Sequence, residues 1–167
     1  MPVGDAPHKA IERDPGREAR FELCRQAVLD ETEFEVSRHE VDKQGPCYTV
    51  ETLTALREQD PGRELVLILG GDQAVWLPEW REPEQILKLA EVAVAERDEA
   101  RRADVRRSLE GLPGADRVRF FEMPGIDISS TLVRDRVAAG LPFRHLVPER
   151  VGERIARTGL YQERAAV

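Results

Sequence analysis

The sequence predicts an α/β fold with a parallel sheet covered by helices, and three observations carry that expectation. Leu65-Val66-Leu67-Ile68-Leu69 is an unbroken apolar run without the polar alternation of a sheet that faces water on one side. Along the chain, segments of helical period alternate with short apolar runs, the order required when parallel strands are joined by crossover helices. The 167 residues, 41% of them hydrophobic, suffice for one ordinary core. No repeat or linker divides them, so residues 1–167 are expected to form a single domain.

Taken in order, Met1 to Gly16 is rich in Pro and Gly and reads as loop. From Arg17 to Leu29, Phe21, Cys24 and Val28, with Leu23 and Ala27 beside them, recur at helical spacing and predict a helix with one buried stripe. Phe34 and Val36 alternate with Glu33 and Glu35, predicting a short strand, and Gln44-Gly45-Pro46 then turns the chain. A helix is expected from near Thr49, with Val50, Leu53 and Leu56 inward. The run Leu65 to Leu69 is expected to be a strand buried on both faces, ended by Gly70-Gly71-Asp72.

A helix over Glu82 to Leu89, a strand over Val92 to Ala95, a charged and exposed helix over Asp98 to Glu110 and a strand over Val118 to Met123 follow. Two helices close the chain, Ser129 to Ala139 before Gly140, and Pro148 to Thr158 before Gly159, with Val147, Val151 and Ile155 inward. Pro at a helix start and Gly just past its end are the expected stop signals.

Composition narrows the function. Lys+Arg 25 against Asp+Glu 32 leaves a net charge of -7, which argues against a general nucleic-acid or acidic-membrane coat while leaving room for a local phosphate site. No apolar run approaches the roughly 18 residues of a membrane span, and Met1 to Ile11 has no apolar stretch of a secretory leader, so a soluble, cytoplasmic protein is expected. Cys24 and Cys47 form neither a CxxC pair nor a disulfide framework.

In open α/β sheets ligands collect beyond the carboxyl ends of the strands. There Gly70-Gly71-Asp72 offers two glycines that admit close backbone approach, and a carboxylate able to accept a ribose hydroxyl or hold hydrated magnesium. A plain strand-to-helix turn with Asp72 as cap is the alternative. Ile128-Ser129-Ser130-Thr131-Leu132-Val133-Arg134 opens a helix with three hydroxyl residues, which ordinarily act as caps. Counted from Thr131 as the cap, however, Arg134 stands where a capping box would place Glu or Gln. A cation near the positive end of a helix is unfavourable until an anion sits between them, so backbone N–H groups, hydroxyls and a guanidinium together predict a phosphate site.

Trp76 reads as core, whereas Trp80, flanked by Glu79 and Arg81, reads as a more exposed indole at a site rim, able to stack on a flat heteroaromatic ring. Tyr48 and Thr49 offer hydroxyls at a helix start, where Thr49 is equally a cap. His8 and Lys9 sit in the opening loop, a place where a lone His is more often a bystander.

The order of motifs is Ala6-Pro7-His8-Lys9, Cys47-Tyr48-Thr49-Val50-Glu51-Thr52-Leu53, Gly70-Gly71-Asp72 with Trp80, Ile128 to Arg134, and Gly159-Leu160-Tyr161. Across nearly the whole chain it resembles bacterial nicotinate-nucleotide adenylyltransferase, of the nucleotidyltransferase superfamily. The resemblance implies a Rossmann-like parallel sheet with helices on both faces. It also implies transfer of AMP from ATP to nicotinate mononucleotide, with magnesium accompanying ATP, to give deamido-NAD and pyrophosphate.

Carried over position by position, Ser129, Ser130 and Arg134 look like the triphosphate clamp, with Ser130 and Arg134 acting in catalysis. Gly70 and Asp72 look like the ATP ribose or phosphate contacts, and Trp80 like the nicotinate-stacking residue. Tyr48 and Thr49 would line the pyridine-nucleotide pocket, and His8 and Lys9 would approach the substrate phosphates. The family opens with a strand leading into a G-x-F-x-P-x-H-x-G-H segment that this sequence does not contain, so an N-terminally truncated domain lacking its first strand or strands is expected. A nucleotide-binding remnant without turnover and an adenylyltransferase for a related phosphorylated substrate are the other readings.

Overall fold

The computed structural model describes residues 1–5, 13–96 and 98–162. They form two compact units, one of Tyr48–Gly125 and one of Met1–Cys47 with Ile126–Val167.

The first unit carries the sheet. Its strands β1 (Val66–Gly70), β2 (Glu91–Ala95) and β3 (Val118–Phe121) are parallel, in the order β1-β2-β3. Register places Leu67 beside Val92 and Leu69 beside Val94, and continues the row with Val118 and Phe120. This row is the core face: Val92 and Val94 are wholly buried. Onto it pack Val50 and Leu53 of α2 (Thr49–Gln59), Ala74 of α3 (Gly71–Ala74), Ile86 and Leu87 of α4 (Pro83–Leu89) and Val105 of α5 (Glu99–Ser108). These inward residues recur at helical spacing, as the sequence predicts. Asp98 caps α5, accepting from the backbone N–H of Ala100 at 2.8 Å, which satisfies a donor that the helix itself cannot.

The strand expected to be buried on both faces is not. Residues alternate across a strand, and Val66 and Ile68 lie on the opposite face, 57% and 65% exposed. There their neighbours on β2 are Glu91 and Ala93, and Arg119 of β3 pairs with Glu91 at 2.8 Å. The strand buried most completely is β2, because it alone has a strand on each side among the described residues.

The second unit packs α1 (Arg17–Ala27), α6 (Ser130–Ala138) and α7 (Glu149–Thr158) around Val133, Val137, Val151 and Ile155. As the sequence predicts, Gly159 ends α7 with φ 65°, a left-handed conformation that costs glycine little. The buried stripe expected on α1 is absent: no residue of the helix is fully buried, and Leu23 only partly joins the cluster. Phe34 to Val36 is irregular rather than a strand, and Phe34 is 65% exposed. No neighbouring strand takes up its hydrogen bonds, and alternation alone does not make a sheet.

Polar contacts organise this unit where apolar burial is thin. Arg17 donates to the carbonyls of Val41 and Lys43, and Arg20 to those of Val3 and Gly4. The N–H of Cys47 donates to Asp5 O at 3.0 Å, and Gly4 lies so close that a side chain there would run into Glu40 O and Cys47 Sγ. Cys47 is buried and Cys24 exposed, both as free thiols.

Glu22 of α1 accepts from Arg25 at 2.8 Å and Gln26 at 2.8 Å, with Arg154 of α7 at 3.4 Å. The Arg25 and Gln26 hydrogen bonds, helped by the charge of Arg154, hold the Glu22 carboxyl at about 2. A carboxyl lowered on folding stabilises the native state above its unfolded value and loses that contribution as pH falls toward 2. The stability of the native chain is therefore expected to decline between about pH 4.5 and 2, and Glu22→Gln to flatten that part of the curve in urea titrations run across the range.

Candidate functional site

The parallel arrangement sends the carboxyl ends of all three strands to one edge, where β1 runs directly into Gly70-Gly71-Asp72. A side chain at either glycine would have to displace one of the protein's own carboxylates. A side chain at Gly70 would meet Asp72 Oδ1 at 2.6 Å, and one at Gly71 would run into Glu96 Oε2 and reach Arg101 Cδ at 3.2 Å. The room over this turn is taken by the protein's own carboxylates. The plain strand-to-helix turn is present, but its cap position is Gly70, and Asp72, in the first turn of α3, accepts from Gln73 Nε2 at 3.3 Å.

Glu96 follows β2 directly, and its side chain is 9% exposed. Its Oε1 accepts the N–H of Asp98 at 2.9 Å, while Arg101 Nε lies 3.7 Å from Oε2. Sequence reasoning passed over Glu96, although its place after a strand was the signal. Beside it runs an open groove of about 590 Å³ whose lining includes Asp72, Trp76, Arg101, Asp104 and Arg107.

The two tryptophans exchange the exposures expected of them. Trp76, expected in the core, is 55% exposed and lines the groove. Trp80 is half-buried against the core and follows a short helical turn, Leu77–Glu79, its N–H donating to Leu77 O at 3.1 Å. A four-residue α3 ends before Trp76 can reach the inward face. Tyr48 stands at the start of α2 with Thr49 as the first helical residue, and neither side chain caps the helix through its own oxygen. Tyr48 packs against the core cluster, and the Arg81 guanidinium lies 4.7 Å from its ring centre.

In the second unit, Ser129 caps α6 by accepting the Leu132 N–H at 3.1 Å, and the Val133 N–H goes to Ser129 O, so the capping-box position falls on Leu132 and not, as expected, on Arg134. Capping and phosphate binding are compatible, because the cap uses only these two donors. The N–H groups of Ser130 and Thr131, and the Ser130 hydroxyl, have no partner among the described residues, and all three hydroxyl residues are exposed. Arg134 donates to Thr131 Oγ1 at 3.0 Å, which keeps its guanidinium at the helix start. A nine-residue helix with exposed donors and a cation at its positive end suits an anion.

Asp14 and Tyr161, which sequence reasoning gave no role, both feel the charge of Arg134. Burial pushes Asp14 up, but its hydrogen bonds from Arg20 and the Gly16 N–H, with the charges of Arg20 and Arg134, hold its carboxyl below the usual range. Burial likewise pushes the Tyr161 phenol up, partly countered by Arg134. The Gly159-Leu160-Tyr161 motif thus delivers an aromatic ring to the cluster behind α6, with Tyr161 itself at φ 66°. His8 and Lys9 lie outside the described residues. Among the described residues, no group of three His, Cys, Asp or Glu side chains is arranged to hold a metal ion, and no helix is long and apolar enough to cross a membrane.

Parallel strands that end at one edge, and separately a helix start with exposed donors, are features common in α/β nucleotide-binding proteins. The chain belongs to the cytidylyltransferase-like family, whose model matches residues 2–136, and is a nucleotidyltransferase of the nicotinate-nucleotide adenylyltransferase group. It is 37% identical to a probable nicotinate-nucleotide adenylyltransferase of Desulfitobacterium hafniense (strain Y51), over 97% of this chain and 79% of that one. Identity is 41% to its namesake in Roseiflexus sp. (strain RS-1), over 97% and 81%. The structure resembles Plasmodium falciparum nicotinic acid mononucleotide adenylyltransferase solved with NaAD, with TM-score 0.61 and 13% identity over 95% of this chain and 78% of that one. This likeness bears out the Rossmann-like α/β class.

The packing over Gly71 is open to a direct check. Gly71→Ala is expected to destabilise the protein by about 1–3 kcal/mol through overpacking, and adding Glu96→Ala to return part of that loss in urea denaturation. Equal costs with and without Glu96 would show that its carboxylate does not fill the space.

Proposed function

We propose that this chain transfers the adenylyl group of ATP to nicotinate mononucleotide. The observation that carries the reading is the start of α6, where the Ser130 and Thr131 N–H groups, the Ser130 hydroxyl and Arg134 offer donors to an anion. The relatives' names supply the substrates. A phosphate oxygen of the mononucleotide forms a bond to the α-phosphorus of ATP. The bond from that phosphorus to the β-bridging oxygen breaks, and its electron pair leaves with pyrophosphate. Such chemistry needs positioning and neutralisation of spreading negative charge rather than a covalent enzyme intermediate.

In this reading Ser129, Ser130 and Arg134 hold the triphosphate, with Arg134 and Ser130 meeting the charge that develops on the leaving group. Gly70 and Asp72 take the ribose end of ATP, Trp80 stacks on the pyridine ring, and Tyr48 and Thr49 line its pocket. His8 and Lys9 approach the substrate phosphates. Magnesium arrives as part of the ATP substrate, since this ion keeps most of its water and binds through phosphates and one or two carboxylates. The family match spans both compact units, which supports reading residues 1–167 as one nucleotidyltransferase domain.

Arg134→Ala is expected to weaken ATP binding roughly ten- to hundredfold by calorimetry, the scale of one charge-assisted contact, and to lower adenylyl transfer at least as much. Ser130→Ala acts in the same direction with a smaller effect. Unchanged ATP affinity in a folded Arg134→Ala, Ser130→Ala double variant would overturn the reading.

A further inference from the structure

We propose that Arg81 selects a pyridine mononucleotide bearing a ring carboxylate over one bearing a carboxamide. This rests on the reading of Tyr48, Thr49 and Trp80 as the pyridine pocket. Arg81 follows Trp80 directly in the chain, and its guanidinium lies 4.7 Å from the ring centre of Tyr48, so it stands against one of the two aromatic side chains assigned to that ring and is the chain neighbour of the other. It is also the sole cation there: Tyr48 to Leu56 contains no Lys or Arg, and Gly71 to Leu87 contains only Arg81.

The group is held in place. Arg81 Nη1 donates to Glu51 Oε1 at 2.9 Å, which fixes the guanidinium over the start of α2, and Glu82 Oε1 lies 3.7 Å from its Nε. The chain leaves Arg81 through Glu82 at φ 52°, a left-handed turn that a non-glycine residue adopts only where its surroundings enforce it, before Pro83 opens α4. Half of the Arg81 side chain stays exposed, so further acceptors can reach it. A guanidinium presents five donors, of which Glu51 occupies one. Glu51, Glu79, Glu82 and Glu84 make these segments acidic, so without Arg81 a carboxylate-bearing ring would be repelled. A carboxamide has no charge to match and gains only neutral hydrogen bonds, about half as strong as charge-assisted ones.

Calorimetric titration of the full chain with nicotinate mononucleotide and with nicotinamide mononucleotide tests the inference. The unaltered chain should bind the acid at least tenfold more tightly. Arg81→Gln should bring the two within about threefold, chiefly by weakening the acid, while ATP affinity is unchanged and so reports an intact fold. Glu51→Gln, which releases the guanidinium from its ion pair, should keep or widen the preference. An acid preference that survives Arg81→Gln, or equal binding of the two mononucleotides by the unaltered chain, overturns the assignment of Arg81 alone. Binding of neither mononucleotide by the unaltered chain overturns the pyridine-pocket reading itself, and the assignment with it.

Discussion

Parallel pairing of β1, β2 and β3 is the constraint from which the rest of the sheet-bearing unit follows. Strands that run the same way cannot be joined by tight hairpins, so each needs a crossover, and α3, α4 and α5 lie on those crossovers. The apolar sides of these helices and of α2 then meet one row of the sheet, Leu67, Leu69, Val92, Val94, Val118 and Phe120. The same pairing brings the carboxyl ends of β1 and β2 together, and so sets Glu96 over Gly71. An antiparallel neighbour would have carried Glu96 to the far edge.

On a chain of net charge -7, any site for an anion has to work locally against the protein's own field. Arg134 is so placed at the start of α6, where backbone donors accompany a single guanidinium. Its neighbours Asp14 and Arg20 engage each other, and Asp14 accepts the Gly16 N–H as well, so the nearby acid does not consume the charge of Arg134. Arg81 is placed differently, over an aromatic ring and tied to one carboxylate. Several other arginines, among them Arg106, Arg107 and Arg150, serve exposed ion pairs, which contribute little to stability.

Much of this was legible in the sequence, because the signals were local. Gly159 after α7 and the apolar stripes of α2 and α7 name their elements without reference to anything distant. Ser129 to Arg134 was legible for the same reason, since the helix start and the misplaced cation lie within six residues. What failed depended on partners far along the chain. The exposure of Val66 and Ile68 depends on what covers their face, and Phe34 to Val36 lacks a strand to pair with. Trp76 and Trp80 are separated by a turn whose length decides which indole meets the core, and periodicity does not give that length. Glu96 and Arg81 became visible only when β2 was seen beside β1 and α2 beside the loop before α4.

The two thiols differ in a way that is useful at the bench. Cys47 lies beneath Gly4, its sulfur close to the carbonyls of Glu40 and Gly45, where a bulky electrophile has no approach. Cys24 is open on α1 and lies within electrostatic reach of Tyr161, which also feels Arg134. A maleimide dye added to the native chain would therefore attach at one position, without any cysteine having to be engineered in or out.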